Sequence, residues 1–143
     1  MPRTRRAREL MQAHVRTLMK AHLITVAPDD ELVDVARELA AHDIGAVPVV
    51  DGDHQLVGLI STPDLVHLLH DGEVLGGKVA RDLMTSEPIS IDEFATADEA
   101  IGVMRNALLH DLPVVRERRL VGMVTATDLI RHLLKSYPDP EAA

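Results

Sequence analysis

One stretch of ten residues occurs twice in this chain of 143 residues, with few changes. Residues 56–65 read LVGLISTPDL and residues 120–129 read LVGMVTATDL. Each copy begins with a short apolar run typical of a buried strand. A hydroxyl residue then precedes an aspartate by three positions, Ser61 with Asp64 and Thr125 with Asp128, which is the spacing of a helix N-terminal cap. The sequence therefore predicts two capped helices, each following a strand.

The residues around the two copies repeat as well. Leu18-Met19 matches Leu83-Met84, and Pro48-Val49-Val50 matches Pro113-Val114-Val115, both at an offset of 65 residues. Apolar stripes at helical spacing precede the two proline-containing strands, and residues 23–26 read as a further short strand. An amphipathic lead-in helix is predicted over residues 7–18. Because neither half of a two-unit repeat buries its sheet face alone, we expect an α/β (α+β) fold in which two βαββα repeats pack with pseudo-twofold symmetry.

The repeats set the predicted boundaries. A basic N-terminal extension and helix occupies residues 1–14, and the first repeat occupies 15–71. A linker with several glycines covers 72–79, the second repeat covers 80–136, and a short C-terminal tail covers 137–143.

Composition limits the class of protein. With one Tyr, one Phe and no Trp, the core must be aliphatic, and the absence of cysteine excludes disulfides and thiolate metal sites. No apolar run reaches the roughly 18 residues of a membrane span, and the Arg-rich start lacks the apolar segment of a secretory signal. The net charge is −8, although residues 1–20 are basic. We therefore expect a cytoplasmic protein with no membrane partner, and the acidic body argues against nucleic acid as a partner.

The repeated motif has a structural and a functional interpretation. Capping alone explains a hydroxyl and an acid at this spacing. A capped helix N-terminus at the end of a strand is also a place for a phosphorylated ligand, and its carboxylate can accept both hydroxyls of a ribose. The duplication of the motif favours the ligand interpretation, without excluding the structural one.

Other chemistry has weaker support. His67 and His70 stand three residues apart on a predicted helix, a spacing that metal ligands can have, but a solvated helix face is the preferred interpretation. No Ser–His–Asp set converges in the pattern, since Ser61 is explained by capping. We predict no catalytic residue, no metal site and no enzyme.

The duplicated elements resemble a tandem pair of cystathionine β-synthase (CBS) domains, also called a Bateman module. The resemblance rests on both Leu-Met starts, both helical stripes, both Pro-Val-Val strands and both glycine-to-aspartate motifs, and it covers about 120 of the 143 residues. It implies a regulatory module that binds an adenosyl ligand, AMP, ADP or ATP first and S-adenosylmethionine or NAD as alternatives, in clefts between the two repeats, with no other cofactor.

The resemblance also implies which residues bind. In that family the hydroxyl and the aspartate hold phosphate and ribose, and adenine lies against the first strand and the stretch before Pro-Val of the other repeat. One cleft would join Ser61 and Asp64 to Pro88, Ile89, Ser90, Leu109 and His110. The other would join Thr125 and Asp128 to Leu23, Ile24, Thr25, Ile44, Gly45 and Ala46. Arg131 predicts tighter phosphate binding in the second cleft, because its repeat partner is His67.

We therefore expect a stand-alone sensor that regulates a partner protein in trans, since only about 20 residues lie outside the repeats. The alternative is a structural dimerisation module with empty clefts. A homodimer is expected in both cases, because each helix after a repeated motif carries more apolar residues than one core-facing stripe needs. These are Leu65, Val66, Leu68 and Leu69 in the first repeat, and Leu129, Ile130, Leu133 and Leu134 in the second.

Overall fold

The computed structural model describes residues 3–137, which form a mixed α+β fold with two three-stranded sheets. The predicted α+β class is confirmed. The predicted tail lies outside the described residues except for Tyr137. The helices are α1 (Arg5–Met11), α2 (Leu32–His42), α3 (Thr62–His70), α4 (Ala80–Leu83), α5 (Ala97–Ala107) and α6 (Ala126–Leu133), and the strands are β1 (Ala46–Val50), β2 (Leu56–Ser61), β3 (Thr85–Ser86), β4 (Ile91–Asp92), β5 (Asp111–Arg116) and β6 (Arg119–Thr125).

The chain divides into two compact units. Residues 22–89 and 117–120 form the first, here the β1–β3 unit, with its sheet in the order β1-β2-β3. The described parts of 1–21, 90–116 and 121–143 form the second, the β4–β6 unit, with its sheet in the order β4-β5-β6. Each unit contains its own aliphatic core: Val47, Val49 and Ile60 are fully buried in one, and Leu112, Val114 and Val124 in the other.

Each unit contains the lead-in segment of the other repeat. In the β4–β6 unit the Val15 amide donates to the Ala95 carbonyl at 2.8 Å. In the β1–β3 unit Ala80, which is 65 residues after Val15, donates to the Asp30 carbonyl, also at 2.8 Å. The predicted repeat boundaries follow sequence order, whereas the compact units exchange these segments.

The exchanged segments explain the glycine of the repeated motif. Met84 lies so close to Gly58 that a Cβ atom there would overlap its side chain. Met19 lies in the same way on Gly122, where a Cβ atom would also stand 2.9 Å from the carbonyl oxygen of Lys20. The glycine of one repeat thus makes room for the methionine of the other repeat's lead-in.

Two predicted elements are shorter than expected. The lead-in helix ends at Met11, and a 3₁₀ turn over Val15–Thr17 follows. It cannot continue, because the carbonyl of Ala13 accepts from Ala97, the first residue of α5, and the amide of Val15 donates to Ala95 in the connection between β4 and α5. The strand predicted at 23–26 is a single parallel bridge from Val26 to Val49, since a turn begins directly after Val26. The register between β1 and β2 shifts between Val49 and Val50, one residue after Pro48.

Candidate functional site

The repeated motif forms the start of α3 in the β1–β3 unit. Strand β2 ends at Ser61, whose hydroxyl accepts a hydrogen bond from the Asp64 amide at 3.3 Å. The Asp64 Oδ2 atom accepts in return from the Ser61 amide at 2.8 Å. This reciprocal pair is the predicted capping box. Among residues 3–137, Oδ1 of Asp64 has no hydrogen-bond partner, so it is free to accept from a ligand hydroxyl.

The start of α6 has the same construction in the β4–β6 unit. Asp128 Oδ2 accepts from the Thr125 amide at 2.9 Å, and the Asp128 amide donates to the Thr125 hydroxyl at 3.1 Å. Asp128 is more buried than Asp64, with 6% of its surface exposed, and its Oδ1 atom is 3.4 Å from Nη1 of Arg131. The arginine expected to bind phosphate therefore already contacts an acid, although 68% of its side chain remains exposed.

In each repeat, the residues just before the proline lie at the start of the helix that follows the repeated motif, α3 or α6. The Gly45 carbonyl accepts from the Thr62 amide, and the His110 carbonyl accepts from the Ala126 amide, both at 2.9 Å. One residue with a left-handed backbone conformation precedes each stretch: Asp43 after α2, with φ 49°, and Leu108 after α5, with φ 55°. The sequence reasoning instead grouped each stretch with the other repeat's helix.

The first turns of both helices therefore have few free amides. In α3 the Thr62 and Asp64 amides are bonded, and Pro63 between them has no N–H. In α6 the Ala126 and Asp128 amides are bonded, and only Thr127, within residues 3–137, keeps a first-turn amide without a partner. Because anion binding at a helix N-terminus depends on such amides, phosphate gains less from these helices than their position suggests.

The two helix starts differ in charge. His110 and Asp111 precede Leu112-Pro113 at α6, whereas Gly45 and Ala46 occupy the matching positions at α3. Asp111 is half-buried, and this burial is the main cause that raises its pKa above the ordinary value of 3.8. The neighbouring Asp128 carboxylate raises the pKa further, while His110 lowers it. Asp111 stands outside the repeated ten residues, so the repeated pattern does not predict it as a site residue.

The first-strand residues fall in the β1–β3 unit. Leu23, Ile24 and Thr25 line an open depression of about 510 Å³ together with three acids of the α2 region. None of these acids is predicted as a site residue. Asp34 and Glu38 stand four residues apart on one face of α2, and Asp30 lies in the bend before the helix.

The remaining predicted residues divide between the units. Pro88 and Ile89 belong to the β1–β3 unit, and Ser90 and Leu109 belong to the β4–β6 unit. Ile89 is 50% exposed, and Leu109 packs partly against the core of its unit. Both predicted groupings draw on both units, so the groupings stay predictions.

Metal binding has no geometric support in the described part of the chain. No group of three His, Asp or Glu side chains between residues 3 and 137 is arranged to hold a metal ion. His67 and His70 are both exposed on α3. None of the helices in this range is long and apolar enough to cross a membrane.

The chain is similar to known proteins over most of its length. A family model for the CBS domain matches residues 15–71 and 80–135. Hypoxic response protein 1 of Mycobacterium tuberculosis is 32% identical over 123 residues, which covers 82% of this chain and 83% of that protein. The structure of CBSX2 in complex with AMP has a TM-score of 0.79 at 27% identity, covering 87% of this chain and 98% of that one. The CBS domain pair of MJ0100, in complex with 5′-methylthioadenosine and S-adenosylmethionine, has a TM-score of 0.78 at 27% identity with the same coverage.

Proposed function

Because the chain belongs to the CBS domain family, we propose that it is a regulatory module, and not an enzyme, that binds an adenosyl ligand at the starts of α3 and α6. The observation that carries the proposal is the duplicated capping box, which holds one aspartate at each helix start. CBS pairs with similar folds bind AMP, 5′-methylthioadenosine or S-adenosylmethionine. The part common to these ligands is the adenosine.

The chemistry of the two aspartates supports ribose binding. A carboxylate has about four lone-pair sites, and the capping box uses one oxygen of each aspartate. The second oxygen of Asp64 is free within the described residues, and that of Asp128 has only the long contact to Arg131. A vicinal diol can donate two hydrogen bonds to such a group, and hydrogen bonds to charged acceptors are stronger than neutral ones.

The other predicted residues complete this proposal. The apolar and backbone groups of the pre-proline and first-strand stretches would contact the base, and the hydroxyls of Ser61 and Thr125 would stand near the 5′ substituent. Those stretches are Leu23, Ile24, Thr25, Ile44, Gly45, Ala46, Pro88, Ile89, Ser90, Leu109 and His110.

A calorimetric and thermal-shift screen tests the proposal. Adenosine, AMP, ADP, ATP, S-adenosylmethionine and NAD are the probes, and divalent metals test the histidine face of α3. A ligand at about 100 times its dissociation constant adds roughly 2.7 kcal/mol of stability, which raises the melting midpoint by several degrees in a domain of this size. Asp64→Ala and Asp128→Ala should each remove binding at one site.

A cap outside the proposed sites provides the matched control. In α5 the Glu99 amide donates to the Thr96 hydroxyl at 3.1 Å, as in the two motifs, but the hydroxyl stands outside the repeated ten residues. Thr96→Ala should therefore cost helix stability without changing affinity. If no adenosyl compound at millimolar concentration moves the midpoint, the alternative holds: a structural module with empty clefts, which the occupied first-turn amides of α3 favour.

The proposal includes a homodimer that regulates a partner protein in trans. Leu65, Leu68 and Leu129 are core residues with at most 9% exposure. Their neighbours Val66 and Leu69 on α3, and Ile130 on α6 with Leu134 just beyond it, are 54–63% exposed. These four exposed side chains are the proposed dimer surface. Light scattering of Val66→Glu/Ile130→Glu should then give half the wild-type mass, and a monomeric wild type at tens of micromolar would contradict the dimer.

A further inference from the structure

We propose that the site at the start of α6 selects adenosyl ligands whose 5′ substituent is neutral or cationic, and that Asp111 is the residue that rejects a 5′-phosphate. The inference rests on the proposed function, and it narrows the ligand class at one of the two sites. It replaces the expectation that Arg131 makes this the site of tighter phosphate binding, because Arg131 contacts Asp128.

The backbone places Asp111 at this site. The carbonyl of His110 accepts from the Ala126 amide at 2.9 Å, so residue 110 lies at the first turn of α6. Asp111 is the next residue, with its Cα about 3.8 Å from that of His110. It begins β5, beside β6, which leads into α6.

The carboxylates at this helix start outweigh the positive charges. The Asp128 carboxylate is close enough to Asp111 to raise the pKa of Asp111. Arg131 contacts Asp128, and His110 is exposed to solvent. A phosphate would bring up to two further negative charges close to a half-buried carboxylate, where solvent screens repulsion less than at the surface.

The helix itself offers little compensation. Of the first three amides of α6, those of Ala126 and Asp128 already have partners, which leaves Thr127 within the described chain. A neutral 5′-hydroxyl or thioether needs no such donors. A sulfonium or ammonium group is attracted by the same two carboxylates that repel phosphate.

The other repeat lacks this feature. At α3 the positions that match His110 and Asp111 are Gly45 and Ala46, which carry no charge. The selectivity is therefore a property of the α6 site, and the α3 site contains Asp64 as its acid.

Isothermal titration of the full chain with adenosine, AMP and S-adenosylmethionine tests the inference. In Asp111→Asn, which keeps the shape of the side chain, AMP should bind about tenfold more tightly. The affinity for adenosine should change by less than about twofold, and that for S-adenosylmethionine should fall, because only charged ligands interact with the lost charge.

Two variants serve as controls. Asp111→Glu keeps the charge and should keep the wild-type ratio of AMP to adenosine affinity. Asp98→Asn changes the net charge equally at the other end of α5, about 16 Å of helix away, and should also leave the ratio unchanged. High salt should reduce the difference between wild type and Asp111→Asn.

The outcomes separate the two proposals. Binding of adenosyl compounds with the same AMP-to-adenosine ratio in wild type and Asp111→Asn overturns the inference and leaves the proposed function standing. A tighter AMP site in Asp64→Ala, which keeps the α6 site, than in Asp128→Ala, which keeps the α3 site, also contradicts it. Absence of binding by all three compounds in every variant overturns both.

Discussion

At the start of α3 the chain passes through Gly45 and Ala46, and at the start of α6 it passes through His110 and Asp111. The backbone is the same in both places, since each carbonyl at the first of these positions accepts a helix amide at 2.9 Å. The charge is different. Both helix starts have the capping aspartate, and the α6 start has the second carboxylate of Asp111 where the α3 start has Ala46.

A second difference between the two units concerns an ion pair. In the β4–β6 unit Glu93 is 2% exposed and accepts from Nε and Nη2 of Arg116 at 2.6 and 3.0 Å. The matching residues of the β1–β3 unit are Pro28 and Asp51, which line an open groove of about 480 Å³. An ion pair between a buried glutamate and an exposed arginine thus occupies a place in one unit that is an open surface in the other.

The two halves therefore share their backbone and their apolar pattern, whereas their charged positions differ. The capping boxes and the glycine–methionine contacts hold each unit together, and they are present twice. The positions that a ligand or solvent can reach are free to differ, because changes there cost little packing energy. The two sites should therefore not be treated as copies.

The largest expected effect compares the two motif glycines. Gly122→Ala should destabilise the protein by about 3 kcal/mol, because the new methyl group meets the Lys20 backbone as well as Met19. Gly58→Ala should cost about 1 kcal/mol, because the three atoms nearest to the new methyl group all belong to the flexible Met84 side chain. Denaturant unfolding measures both. Met84→Ala should partly rescue Gly58→Ala, while Met19→Ala should not rescue Gly122→Ala; equal costs would show that the backbone contact is unimportant.

The next effect concerns the ion pair that one unit lacks. Hydrogen bonds from Arg116 hold the pKa of Glu93 below its ordinary value of 4.5. A lowered carboxyl pKa stabilises the folded state above the unfolded pKa, and this stabilisation is lost as the pH falls through the folded pKa. Glu93→Gln should thus lower the melting midpoint at pH 7, and the deficit should shrink below about pH 4.5. A deficit that is constant with pH would assign it to packing.

A smaller effect compares the two capping aspartates. Asp128→Ala should cost about 2 kcal/mol and Asp64→Ala about 1 kcal/mol, because Asp128 is more buried and also contacts Arg131. Thermal unfolding without ligand measures the difference. Restoring one acceptor with Asn should recover part of each loss, and a larger cost at Asp64 would reverse the order of the two helix starts.

The smallest effect is the pH dependence of Asp111. Burial raises its folded pKa, so the folded state binds a proton more readily than the unfolded chain does. Its contribution to stability is therefore full below about pH 3.8 and is lost as the pH rises through the folded pKa. Asp111→Asn should be slightly more stable than wild type at pH 7 and equal to it in acid. A variant less stable than wild type at pH 7 would show that His110 stabilises the carboxylate more than burial penalises it.

Much of this molecule could be predicted from local sequence. Ser61 with Asp64 and Thr125 with Asp128 form the capping boxes that their spacing predicts, because a cap involves only residues three apart. The apolar stripes of α2 and α5 and the Pro-Val-Val strands follow from periodicity alone. The offset of 65 residues predicted the duplication and, through it, the resemblance to the CBS domain family.

Tertiary structure alone decided how the copies are assembled. The exchange of lead-in segments depends on long-range hydrogen bonds such as Val15 to Ala95, which leave no local pattern. For the same reason the lead-in helix ended early, and the strand at 23–26 shrank to one bridge. The position of Asp111 beside Asp128 also depends on the tertiary structure, because two residues 17 positions apart become neighbours only when β5 and β6 pair. Local residue spacing determines the helix caps and the apolar stripes. The charge at a site depends on all the ionisable residues that the fold brings near it.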